Sequence, residues 1–236
     1  MGATVRRRGG AWTPAVHALL RHLEEVGFEG APRVLGFDDT GREVLSYLPS
    51  ERTWPYSDEV LVSTARLVRR LHDAVAGFTP PPDATWRITW AGPEPQPVGH
   101  NDIGPANTVY RNGEPYGFID WELAGPAPPL YDLAWAAINS VPLRPDRFCD
   151  AVGFAEPPDR PARLRQFCTA YGLDNPLALV DAVEGFERQA LHQMLELGGA
   201  GVSPHSRFLA LGEDRFLRWD LDWFVANRQR LEDAVS

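Results

Sequence analysis

The chain has 236 residues, 44% of them apolar and 23% charged, which is ordinary globular composition with length for one large domain or two small lobes and excludes overall disorder. Its formal net charge of −9 excludes a non-specific nucleic-acid binder, which needs a basic face. All 23 basic residues are arginine, so lysine Schiff-base chemistry and a Walker A loop are excluded too.

At the start, Met1-Gly2 suggests myristoylation, but Arg6 stands where Ser or Thr is expected. No apolar segment follows Arg6-Arg7-Arg8, so this is not a secretory signal, and no apolar run reaches membrane-span length; a cytoplasmic protein is expected. Ala3 to Arg7 is a short strand. Thr13-Pro14 marks a helix start with Thr as cap, and Val16, Leu19, Leu20, Leu23 and Val26 follow at helical spacing until Gly27. Residues 33–37 and 43–48 form a hairpin around Asp38-Asp39-Thr40-Gly41, ended by Pro49. A second helix runs from a Ser57 cap to Ala76. Residues 79–97, with Pro80-Pro81-Pro82, Pro93, Pro95 and Pro97, are a loop. A hairpin spans 107–120, and helices follow at roughly 131–139, 160–171, 176–197 and 207–233. Gly198-Gly199-Ala200-Gly201 has no strand before it and no lysine after it, so it reads as a connection and not as a phosphate loop. Cys149 and Cys168 are too few for a four-cysteine zinc site or a disulfide scaffold, and a reduced pair is expected. The division is therefore 1–49, a small strand-rich part, and 50–236, a larger helical part that carries the whole excess of acidic residues.

The chemistry concentrates in His100-Asn101-Asp102-Ile103-Gly104-Pro105-Ala106-Asn107, followed by Phe118-Ile119-Asp120-Trp121-Glu122. Asn112-Gly113 is a strong hairpin signal. It predicts Arg111 opposite Glu114, Val109 opposite Tyr116 and Asn107 opposite Phe118. Asn107 and Asp120 then emerge on one face at the open end of the hairpin, as diagonal neighbours about 7 Å apart. Asp102, five residues before Asn107, can join them across the Gly104-Pro105 turn. Two carboxylates and an amide oxygen are hard donors suited to Mg²⁺; zinc would want His or Cys.

This pattern, H-x-D-x-x-x-x-N and then a strand ending in Asp, is expected about 0.01 times in a chain of this composition. It resembles the catalytic segment of protein-kinase-like enzymes, and with Ile-Asp-Trp-Glu it is most similar to the aminoglycoside phosphotransferase and choline kinase branch. The resemblance implies a kinase-like two-lobe α+β fold and an O-phosphotransferase that uses ATP or GTP with Mg²⁺ on a hydroxylated small molecule. It implies Asp102 as the base, Asn107 and Asp120 as metal ligands, and His100 and Asp132 as supports of the catalytic loop. At the front, the strand that bears a lysine in this family has Arg6, with Arg7 as alternative, and the two preceding strands with their glycine-rich loop are not visible. A downstream start or a natural minimal relative would each give such a front. Leu45-Ser46-Tyr47-Leu48 resembles the hinge that meets the nucleotide base, through Ser46 and Leu48. The partner carboxylate of the basic residue is left unassigned, since Glu24 and Glu25 lie late on the first helix and His17 and Arg21 occupy its middle. Glu122, Asp220, Asp222, Trp219 and Trp223 are candidates for a cationic acceptor. The alternative is a kinase-like binding or immunity protein that sequesters a small molecule or toxin. A metal-dependent hydrolase would need more histidine ligands than His100, and His192 and His205 carry no motif.

Overall fold

The computed structural model describes residues 3–51, 57–90, 92 and 95–236; the Met1-Gly2 signal and Pro93 of the proline-rich loop lie outside these. Strand β1 (Thr4–Arg7) pairs antiparallel with β3 (Glu43–Ser46), and β3 pairs with β2 (Val34–Phe37), giving the order β1-β3-β2. Helix α1 (Thr13–Glu25) buries Val16, Leu19, Leu20 and Leu23, the stripe its periodicity predicts. Thr13 is not its cap. It lies inside the helix, where its hydroxyl accepts from the Gly10 N–H, and Trp12 holds the cap position.

Helix α2 (Asp58–Val75) begins as expected: the Ser57 side chain accepts from the Val60 N–H, with Asp58 and Glu59 favourable against the helix dipole. Its buried Leu61, Leu67, Val68 and Leu71 each contribute about 2 kcal/mol of burial energy. Two-residue strands β4 (Val98–Gly99) and β7 (Gly125–Pro126) pair with each other and bracket the catalytic-loop segment and the hairpin β5 (Thr108–Arg111) and β6 (Glu114–Phe118). Then come α3 (Tyr131–Ser140), α4 (Asp146–Ala151), α5 (Arg160–Tyr171), α6 (Pro176–Gly199), α7 (His205–Ala210) and α8 (Asp214–Val235). The short α4 was not legible in the sequence. The single helix expected over 207–233 is two, because Gly212 adopts φ 74°, which a right-handed helix cannot contain.

One core joins both parts: Leu19 and Leu23 of α1, Leu61 and Leu71 of α2, Phe118 of the hairpin, Trp121 just after it, and Phe167 of α5 are all buried within it. The strand-rich part is also tied to the hairpin by backbone. The Phe118 N–H donates to Gly30 O at 2.7 Å, and a Cβ on Gly117 would lie 2.5 Å from that same oxygen. Both cysteines are free and buried. Among the described residues no helix is long and apolar enough to cross a membrane.

Candidate active site

The hairpin turns as predicted at Asn112 (φ 53°) and Gly113 (φ 78°), with Arg111 opposite Glu114. Beyond that the expected register is corrected. Thr108 faces Phe118 and Val109 faces Gly117, with a bulge at Tyr116. Pro115 stands opposite Tyr110 at the non-hydrogen-bonded pair next to the turn, where its missing N–H costs the ladder nothing. Tyr110 bonds elsewhere: its N–H donates to Ser50 Oγ at 3.0 Å and its carbonyl accepts from the Glu51 N–H at 2.9 Å. Asn107 therefore lies across from Ile119, whose N–H donates to Asn107 O at 2.8 Å, and Asp120 follows one residue later at the hairpin mouth.

Asp102 and Asn107 meet directly. Asn107 Nδ2 donates to Asp102 Oδ2 at 2.8 Å and to its backbone oxygen at 3.0 Å, leaving the amide oxygen available. Asp102 Oδ1 accepts from Trp135 Nε1 at 3.2 Å. Trp135 is a site residue that sequence reasoning missed; the available signal was its place three residues after Asp132, on the same face of α3. Burial raises the Asp102 carboxyl to about 6, opposed by the Trp135 and Asn107 bonds and aided by the charges of Asp120 and Asp132.

The loop carrying Asp102 is held from behind. Asp132 accepts from the backbone N–H groups of His100 at 2.8 Å and Asn101 at 2.9 Å, and His72 Nε2 stands 3.3 Å away. Burial pushes the Asp132 carboxyl up, but His72 and the backbone N–H of His100 outweigh it and hold it low. His100 is fully buried, desolvation lowers its pKa, and its two ring contacts are those of a neutral imidazole. Its Nε2–H donates to Ile119 O at 3.0 Å while Nδ1 accepts from the Asp102 N–H at 3.3 Å. Asn101 adopts φ 62° and Asp120 φ 63°, left-handed conformations uncommon outside glycine that recur where a site is strained into shape.

The basic residue at Asp120 is Arg7, not Arg6. Side chains alternate along β1, and Arg7 stands directly opposite Glu43, so these two share a face. Arg7 Nη1 lies 2.5 Å from Asp120 Oδ1 and Arg7 Nε lies 2.6 Å from Glu43 Oε1. Arg6 points to the other face, 4.0 Å from Asp38, with its side chain 53% exposed. The partner carboxylate left unassigned from sequence is Glu43, on a strand and not on α1, and it also meets His17 of α1 at 2.9 Å. Ser46 is already engaged within the sheet: its N–H donates to Arg33 O and its hydroxyl accepts from the Arg33 N–H. Leu48 is half-buried just past the last sheet pair.

Beside the hairpin lies a cavity of about 830 Å³, lined by Tyr47, Ser50, Val109, Ile119, Asn139 and Phe148 among others, and none of its described lining residues is charged. Four of the five candidates for a cationic acceptor are already engaged, and Asp222 is exposed. Glu122 pairs with Arg87 and Asp220 with Arg144, while Arg147 covers the Trp219 ring and Arg160 the Trp223 ring. Among the described residues no group of three or more His, Cys, Asp or Glu is arranged to hold a metal. Asn107 Oδ1 and the Asp120 carboxylate are hard oxygen donors, the ligand chemistry magnesium favours, since that ion fills most of its shell with water and phosphate oxygens.

Residues 83–179 match the model of the phosphotransferase enzyme family, APH. Across 97% of the chain the fold matches a choline/ethanolamine kinase family protein from Mesorhizobium loti, with a TM-score of 0.59, 17% identity and 87% of that chain covered. Spectinomycin phosphotransferase in complex with ADP and spectinomycin gives the same TM-score of 0.59 at 10% identity, over 96% of this chain and 85% of that one. The fold is thus kinase-like, with a small strand-rich part and a helical part, and the chain belongs to the phosphotransferase enzyme family. The whole chain is 37% identical, over 246 residues and 93% of the relative's length, to the trifolitoxin immunity protein of Rhizobium leguminosarum bv. trifolii.

Proposed function

We propose that the protein transfers the terminal phosphate of ATP or GTP to a hydroxyl of a small molecule, and that this modification protects the cell from a toxic compound. The observation that carries the reading is Asp102: a largely buried carboxyl, raised to about 6, pinned by Trp135 and Asn107 on a loop that Asp132 holds. Phosphoryl transfer needs an aligned hydroxyl and neutralised phosphate charge more than covalent help. Asp102 accepts the hydroxyl proton, and a base whose pKa lies just below working pH is both ionised and basic enough to do so. Asn107 and Asp120 hold magnesium, which neutralises phosphate charge when bound. Arg7 keeps Nη2 free of Glu43 and Asp120 to fork onto a phosphate oxygen. The uncharged cavity beside Val109 and Ile119 takes the nucleotide base, and Tyr47, which lies between Ser46 and Leu48 in the chain, is part of its lining. His100 and Asp132 support the loop. The reaction takes place in the cytoplasm, where nucleotide is at hand.

The test is phosphate transfer from Mg-ATP and Mg-GTP to a panel of hydroxylated compounds, comparing wild type with Asp102→Asn. A drop of about a hundredfold or more in the variant supports the base role; equal turnover refutes it. A second reading, immunity by sequestration, is favoured by the Arg7–Asp120 bond, which occupies one oxygen of the proposed metal ligand, and by the name of the relative. A toxin bound tightly by wild type with no transfer of phosphate decides for that reading.

A further inference from the structure

The proposed function makes Arg7 a phosphate ligand, and the role assigned below to its neighbours rests on that reading. A guanidinium on a short edge strand needs something to fix its direction, since a long arginine side chain has many rotamers open to it. Here the fixing group is Glu43. Its side chain is 3% exposed, and the two carboxylate oxygens are divided: Oε1 accepts from Arg7 Nε at 2.6 Å, Oε2 from His17 Nε2 at 2.9 Å. A carboxylate only accepts, so His17 carries its proton on Nε2. His17 is itself buried on α1, with its ring 5.4 Å from Phe37 of β2. Burial would raise the Glu43 carboxyl, but the His17 and Arg7 contacts outweigh it and keep it ionised.

We infer that His17 and Glu43 are positioning residues that aim Arg7 at the phosphate site, a relay running from α1 through β3 and β1 to Asp120. With Nε locked on Glu43 and Nη1 on Asp120, only rotation about bonds already pinned at both ends could turn Nη2 away. Removing the His17 bond leaves Glu43 buried with one oxygen unpaired, free to rotate and release Arg7. Removing the Glu43 charge breaks the Arg7 anchor directly. The carboxylate that orients the basic residue thus sits on a strand of the same sheet, and α1 contributes through a histidine.

Two measurements test the relay in the full chain. The first is the Arg7 Nε–H resonance in a heteronuclear NMR spectrum, assigned by its loss in Arg7→Lys. The second is the Kd for Mg-ATP by calorimetry. A hydrogen bond to a charged group is worth about 1.5–3 kcal/mol, so His17→Leu and Glu43→Gln are each expected to weaken Mg-ATP binding about tenfold or more and to shift or broaden the Arg7 signal. His17→Gln, whose side-chain amide donates from a similar place, is expected to restore most of both. An Arg7 resonance and a Kd indifferent to His17→Leu and Glu43→Gln overturn the relay. So does a His17→Gln variant as impaired as His17→Leu, which would reduce His17 to packing. Wild-type protein that binds no Mg-ATP refutes the proposed function, while the NMR comparison alone still decides whether His17 and Glu43 hold Arg7.

Discussion

Glu187 on α6 offers a test of how the helical part was assembled. It is 1% exposed, and neither carboxylate oxygen has a hydrogen-bond partner. The neighbouring guanidinium of Arg144 is committed to Asp220, with Nε at 2.9 Å and Nη2 at 2.8 Å from one oxygen. Burial first, then the Asp220 charge, push Glu187 from 4.5 up to about 8, with Arg144 opposing. Between those values the folded protein keeps a proton that the unfolded chain releases. Stability is therefore unpenalised below pH 4.5 and falls as pH rises, by up to about 1.4 kcal/mol per pH unit, until the folded group ionises near 8. From pH 5 to 8 this amounts to about 3 kcal/mol. Glu187→Gln keeps the shape and cannot ionise. Urea unfolding of both proteins at pH 5, 6, 7 and 8 should show the variant gaining about 3 kcal/mol on wild type across that range, with the titrations of Asp102 and Asp220 largely cancelling in the difference. A difference that stays constant with pH would mean Glu187 is ionised or hydrated in the folded state, and the reasoning fails.

Three further outcomes are expected. If Asp102 must be ionised to accept a proton, kcat/KM for phosphate transfer rises with pH through about 6. Trp135→Phe removes a hydrogen bond to the ionised form and moves that limb up by about one pH unit, which a pH–rate profile reads directly. Gly117→Ala puts a methyl 2.5 Å from Gly30 O, a backbone atom that cannot swing aside, and should lower stability by about 1–3 kcal/mol in urea unfolding.

The chemistry was legible where neighbours in sequence are also neighbours in space. Asp102 and Asn107 are five residues apart across one turn, and they hydrogen-bond. Asn112-Gly113 dictates its own turn, since both residues tolerate positive φ, and Ser57 dictates its own helix start. Contacts made across the chain were not legible. Arg7 lies 113 residues before Asp120 and 36 before Glu43. Nothing local distinguishes it from Arg6 until β1 pairs with β3 and turns one of the two inward. No local pattern announces the bulge at Tyr116, and the outward-facing backbone groups of Tyr110 find their partners, Ser50 and Glu51, far along the chain.

Local chemistry in the sequence thus determined the catalytic-loop motif, the turn that comes after it, the amphipathic helices and the acid and amide that touch. Tertiary pairing alone decided which arginine serves the site, that its carboxylate partner comes from a strand, that Trp135 reaches Asp102, and that Glu187 is buried without a partner. The physical reason is range: turn dihedrals and helical periodicity act over a few residues, whereas ion pairs and desolvation depend on distance in space, which exists only once the sheet and the helices have packed.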